Sequence, residues 1–147
     1  MIKLNLGCGK LQKEGYLNVD SNIRCEPDML WDLSLPWPWE DDSVEEIIAL
    51  DIIEHLQNAV YFIEEAHRVL KPRGNLILKT VHWQSRNFPT DPTHIRAFTE
   101  QSFDYFDPST MLGQNYGFYS DAKFEIMERD MTKTGDIRFR MVKLNGA

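Results

Sequence analysis

Three β-prone runs near the start of this sequence each stop at a residue type that can hold a ligand. The first, Ile2-Lys3-Leu4-Asn5-Leu6, alternates and then breaks at Gly7-Cys8-Gly9-Lys10. Glycines there permit positive φ and close backbone approach, leaving N–H groups for a carboxylate or phosphate, although the same pattern makes a plain tight turn. The second run, Tyr16-Leu17-Asn18-Val19, ends on Asp20. Two carboxylate oxygens suit the paired hydroxyls of a ribose, and they equally suit a turn with Ser21 and Asn22. After Met29-Leu30, Asp32 can accept a bond from an adenine amino group with Trp31 or Leu33 against the ring, or it can cap Ser34. A dinucleotide would call for a third glycine at position 12 and a helix behind it. Gln12 stands there, which speaks against NAD and leaves open a nucleoside ligand with no pyrophosphate.

Further along lie groups that can take a proton near neutral pH: His55, His82, Asp91 and His94. Each also has a structural role available. Glu54 and His55 can bond the backbone at a helix start, and Asp91 can accept from the Thr93 N–H in a turn. His82 directly follows the fifth strand, which gives it the best position of the set. His67, inside a helix beside Arg68, is expected on a solvated face. Cys8 and Cys25 are read as free thiols, with Cys8 filling space between its glycines. No cysteine pair has metal-ligand spacing, and Glu40-Asp41-Asp42 and Glu45-Glu46 read as solvated charge, so no metal site is expected.

Strand and helix patterns alternate around these positions. A fourth strand, Val44 to Leu50, reads as apolar on both faces. A helix follows in which Leu56, Val60, Ile63, Ala66 and Leu70 recur at helical spacing, with Asn58 as N-cap and Lys71-Pro72-Arg73-Gly74 as the stop. Asn75 to Val81 is the fifth strand, and His82 to Arg96 a polar loop. A short helix from Thr99 to Phe106 is expected, with Phe98 and Phe103 as a hydrophobic staple. Lys123 to Arg129 and Ile137 to Leu144 alternate about a Lys133-Thr134-Gly135-Asp136 turn, a closing hairpin. Only eight residues separate Gly7 from Tyr16, so the first crossover helix must shrink to a turn or two. The fold expected is α/β: one domain over residues 1–147, a doubly wound and mostly parallel sheet with an antiparallel C-terminal hairpin, abbreviated at its N-terminus.

These segments resemble the class I S-adenosylmethionine-dependent methyltransferases, and most closely a trimmed, type 11-like subgroup. Leu4-Asn5-Leu6-Gly7-Cys8-Gly9 is similar to that family's first motif, Leu17-Asn18-Val19-Asp20 to its ribose-binding strand end, and Asp32 with Leu35-Pro36-Trp37-Pro38 to its adenine-side loop. Ile53-Glu54-His55-Leu56 and Arg68-Val69-Leu70-Lys71-Pro72-Arg73-Gly74 resemble segments around its fourth and fifth strands. The similarity runs from about Lys3 to Val81. Asn5 stands where many relatives are acidic, and Lys10-Leu11 replaces a further glycine. The resemblance implies a Rossmann-like fold and S-adenosylmethionine as cofactor. It implies that Leu6, Gly7, Cys8, Gly9, Lys10, Asp20, Trp31, Asp32, Leu33 and Asp51 surround that cofactor, with His82, Asp91 and His94 near the transferred methyl.

Composition narrows the partner. Sixteen basic against twenty-three acidic residues give a charge of -7, a field that repels polyanions, so nucleic acid is not expected. Apolar runs such as Ile47-Ile48-Ala49-Leu50 are far too short for a membrane span, and the start of the sequence shows no secretory pattern, which suggests the cytoplasm. Methyl transfer to a small molecule or sugar-derived acceptor is the first expectation. A non-catalytic binding module is the second, and a nucleotide-dependent oxidoreductase the third.

Overall fold

The computed structural model describes residues 1–145. Seven strands form one sheet in the order β3-β2-β1-β4-β5-β7-β6. They are β1 (Ile2–Leu6), β2 (Leu17–Asp20), β3 (Met29–Leu30), β4 (Val44–Leu50), β5 (Leu70–Val81), β6 (Phe124–Met131) and β7 (Asp136–Lys143). Neighbours from β3 to β5 are parallel, and β7 runs antiparallel to both β5 and β6. This is the expected fold class, with β3 two residues shorter than its pattern suggested.

The helix α1 (Ala59–Val69) begins where Asn58 Oδ1 accepts from the Tyr61 N–H at 2.9 Å, a cap of the kind that contributes about 1 kcal/mol. It buries Phe62, Ile63, Ala66 and Val69 in one core with Leu4, Leu6, Ile47, Ala49, Leu76, Leu78, Phe139 and Met141. The register explains why these strand residues share a face: Leu4 opposes Ile47, Ile47 opposes Leu76, and Leu76 opposes Met141. His67, expected in solvent, instead lies edge-on to Phe124 at 5.3 Å, with Nε2 3.0 Å from the Leu144 carbonyl. Position 67 looks back onto the sheet because α1 is packed close to β6.

The opposite face carries no helix among the described residues. The first crossover is a loop rather than a shortened helix, the second is a single 3-10 turn at Ile23–Cys25, and the third is irregular. Parallel strands are usually buried on both faces. Here polar side chains of neighbouring strands bond one another instead. Asn5 Nδ2 donates to Asn18 Oδ1 at 2.8 Å and to the Leu11 carbonyl at 3.0 Å. The Tyr16 hydroxyl donates to Glu46, and Arg140 reaches Asn75 and Glu128. Position 5 is therefore an amide because it ties β1 to β2 and to the loop folded across them. The expectation that β4 is apolar on both faces is corrected: Glu46 and Leu50 are half-buried on this helix-free side.

Beyond β5, the polar loop contains a one-turn helix, α2 (Asn87–Thr90). The helix expected over Thr99–Phe106 reduces to turns and a 3-10 segment at Asp104–Phe106, although Phe98 and Phe103 do stack at 5.3 Å. The unforeseen α3 (Met111–Tyr116) starts at Thr110, whose hydroxyl accepts from the Gly113 N–H at 2.9 Å.

Candidate active site

Ligands of open parallel sheets bind outside the carboxyl ends of the strands, and two concave regions meet there. The first is a groove lined by Gly7, Asp20, Trp31, Asp32, Leu33 and Ile52, among others. Gly7 has φ +66°, and a Cβ there would lie 2.7 Å from the Ile52 Cβ, so no larger residue fits. The Gly9 N–H donates to Asp20 Oδ2 at 2.9 Å, while Asp20 Oδ1 accepts from the Asn22 N–H at 2.9 Å. Each oxygen keeps a further lone pair. Asp20 thus shapes the glycine loop and the following turn, and still offers acceptors to the groove.

Asp32 makes the bond to Ser34 that its sequence allowed. Oδ1 accepts from the Ser34 hydroxyl at 2.7 Å and its N–H at 2.9 Å, which together hold the carboxyl below the usual range. Oδ2 is left for a ligand. Trp31 Nε1 is buried without an acceptor among the described residues, an unpaired donor at the groove's nucleoside end. The Asp20 carboxylate at the β2 end, apolar walls from Leu33 and Ile52, and this orphaned donor fit a ribose and an adenine ring.

Other residues of the expected cofactor set fall elsewhere. Leu6 is wholly buried in the core, and Lys10 is exposed. Cys8 is buried under the loop beside Asn5 and Leu11, and burial pushes its thiol up to about 11, with the Asp20 charge adding to the rise. A thiol of that acidity is only about 0.1% thiolate at pH 8. Iodoacetamide at pH 8 is therefore expected to label Cys25 and to leave Cys8 at least tenfold slower by peptide mass spectrometry. Equal labelling would show the loop to be open.

The second concavity, about 290 Å³, is lined by Glu54, His55, Asp91 and His94, with Asp51 and Asp136 among the remaining wall residues. The segment from Asp51 to Leu56 divides the two regions: Ile52 and Leu56 line the groove, while Asp51, Glu54 and His55 line the cavity. Glu54 is almost wholly buried, and desolvation raises its carboxyl although Thr80 Oγ1 donates to Oε1 at 2.9 Å. Rather than serving a helix start, which Asn58 caps, this carboxylate bonds Thr80 and faces the cavity. Asp91 Oδ1 accepts from the Thr93 hydroxyl at 2.7 Å and N–H at 2.9 Å, the anticipated turn, and these bonds lower its carboxyl.

Of the three residues expected near the methyl, Asp91 and His94 come together in this cavity. His82 does not line it. Its Nδ1 accepts from the Gln84 N–H at 3.1 Å and its Nε2 lies 2.7 Å from Glu100. Spacing missed Glu54, Asn87, Thr90 and Asp136, which reach the cavity from three segments. Asp136 had a legible cue, since the hairpin register sets it opposite Val81 at the end of β5.

A parallel sheet closed by an antiparallel hairpin, with a groove beside a cavity of proton acceptors at the strand ends, is a Rossmann-like arrangement. Comparison agrees. Residues 28–78 match the methyltransferase domain family. A probable S-adenosylmethionine-dependent methyltransferase of Mycolicibacterium smegmatis is 33% identical over 63 residues, covering 40% of this chain and 24% of that protein. The chain thus spans about a quarter of that relative's length. A putative type 11 methyltransferase from Sulfolobus solfataricus superposes with TM-score 0.61 at 19% identity, covering 99% of this chain and 85% of the other. The [4+2]-cyclase SpnF gives 0.67 at 15% identity, covering 98% and 75%. Part of this chain is thus similar to S-adenosylmethionine-dependent methyltransferases, and the whole described fold to theirs. The cyclase shows that this fold also hosts other chemistry, so activity rests on the site.

Proposed function

We propose that this chain transfers the methyl group of S-adenosylmethionine to a hydroxylated small molecule, a sugar-derived one being the best match. The observation that carries this reading is the shared wall at Asp51–Leu56, which sets a nucleoside groove against a cavity of proton acceptors. Bound cofactor supplies an activated methyl on a sulfonium. The protein then has to align and desolvate the acceptor. Asp20 would hold the ribose hydroxyls and Asp32 Oδ2 the adenine amino group, with Leu33 and Ile52 against the base. Hydroxyl donors of the acceptor match the carboxylates that line the cavity, one of which can take the proton the nucleophile loses.

Saturable S-adenosylmethionine binding is expected by calorimetry, with quenching or enhancement of Trp31 fluorescence. Binding of NADH alone would overturn the reading. An acceptor panel followed by S-adenosylhomocysteine release then separates an enzyme from a binding module, which would bind the cofactor and release no product.

A further inference from the structure

We propose that Glu54, His55 and His94, completed by Asp91, form a binding site for a divalent transition-metal ion such as Zn²⁺. Glu54 and one ring nitrogen from each histidine offer ligand atoms that all lie within 4.8 Å of one another. His94 Nε2 stands 3.8 Å from Glu54 Oε2 and 3.7 Å from Asp91 Oδ2. Those separations are too long for hydrogen bonds. These two approach the roughly 3.3 Å between two ligands of one tetrahedral Zn²⁺ with bonds near 2.0 Å, and the remaining pairs start within 4.8 Å, so side-chain adjustment on binding has to close the site.

The protonation pattern points the same way. His94 Nδ1 lies 3.0 Å from the Phe88 carbonyl, which can only accept, so Nδ1 carries a proton and Nε2, facing the two carboxylates, is the nitrogen left for a metal. The Thr93 hydroxyl donates to Asp91 Oδ1, so its contact with His55 Nδ1 at 2.9 Å takes a proton from that ring as well. Imidazoles held through Nδ1–H by a carbonyl and a hydroxyl are oriented as metal ligands usually are.

A second observation is independent of these distances. Four carboxylates, from Asp51, Glu54, Asp91 and Asp136, line the cavity, and of these Asp51 alone is paired with a lysine, Lys79, at 3.0 Å. Glu54 has a side chain only 2% exposed, with Thr80 Oγ1 donating to its Oε1. Taking a carboxylate this far out of water is costly unless a cation is paired with it. Two imidazoles with carboxylates favour Zn²⁺, Co²⁺ or Fe²⁺ over Mg²⁺, which prefers an all-oxygen shell with several waters. The residues are spread over positions 54 to 94, which is why spacing alone predicted no metal.

The test reads the metal directly and needs neither cofactor nor acceptor. The intact chain, stripped with chelator and dialysed, is titrated with Co²⁺ and then Zn²⁺. About one equivalent of each is expected, with visible Co²⁺ absorption bands displaced by Zn²⁺, and affinity at least about 100-fold above that for Mg²⁺. His94→Ala and His55→Ala should each weaken Zn²⁺ binding by more than tenfold while keeping the wild-type circular dichroism spectrum. These two replace Glu54→Gln, a buried position whose variant can fail to fold. Absence of stoichiometric binding, equal affinity for Mg²⁺, or binding unchanged in both histidine variants overturns the proposal. Cofactor titration in the presence of chelator tests the methyltransferase reading separately.

Discussion

Asp20→Ala is expected to weaken S-adenosylmethionine binding about 10- to 150-fold, equivalent to about 1.5 to 3 kcal/mol for charge-assisted hydrogen bonds to a bound ligand. Two contributions add. The carboxylate would accept from the ribose hydroxyls, and it already accepts from the Gly9 and Asn22 N–H groups. Removing it leaves Gly9, at φ +53°, with no partner to hold the loop against the end of β2. Asp20→Asn keeps one accepting oxygen but sets its NH₂ against one of those two backbone donors, so it should recover only part of the loss. Calorimetry on both variants, with a thermal melt of each unliganded protein, separates loop disorder from lost ligand contacts. Unchanged affinity in Asp20→Ala would remove the ribose assignment and with it the orientation of the cofactor in the groove.

The parts of the fold visible in the sequence were those whose stabilisation is local or strictly periodic. The four strands at the sheet centre, the Asn58 cap and the Thr134-Gly135-Asp136 turn all follow from neighbours in sequence. The element that escaped, α3, has no such signal: Met111-Leu112-Gly113-Gln114-Asn115-Tyr116 buries no residue. It forms because the Thr110 hydroxyl also donates to the Asp104 and Asp107 carbonyls, and because Gly113 sits where a Cβ would fall 1.8 Å from the Asp107 carbonyl oxygen. The expected helix at Thr99 failed for a related reason. Ser102 Oγ accepts from the Thr99 N–H at 2.8 Å, closing a turn that competes with helical propagation. The site divides in the same way. Gly7, Asp20 and Asp32 were legible since each lies at or just past the end of a strand. The cavity brings Glu54 beside Thr80, His94 and Asp136, separations that no local pattern encodes.

Trp37→Ala is expected to destabilise the protein by about 3 to 5 kcal/mol, the range for deleting a buried Trp, and to lower Tm by roughly 6 to 20 °C for a domain of this size. With no helix between β3 and β4, this side chain does what a packed helix would otherwise do for the loop from Leu33 to Asp42. It is only 4% exposed and meets Phe62 edge-on at 5.2 Å and Trp39 at 5.9 Å. Its backbone is held as well: the Trp37 N–H donates to Glu65 Oε2 at 2.8 Å, and Arg68 Nη2 donates to its carbonyl at 3.1 Å. Because the indole Nε1 donates to the Leu33 carbonyl at 3.0 Å, the same residue fixes the backbone that follows Asp32. Trp37→Phe retains the ring packing and leaves that buried carbonyl unpaired, a loss of about 1 to 3 kcal/mol. The two variants should therefore differ in melting temperature and share a weakened affinity for S-adenosylmethionine, read by calorimetry below both midpoints. A Trp37→Ala variant within 1 kcal/mol of the parent would mean that the adenine-side loop is anchored by Arg68 and Glu65 alone.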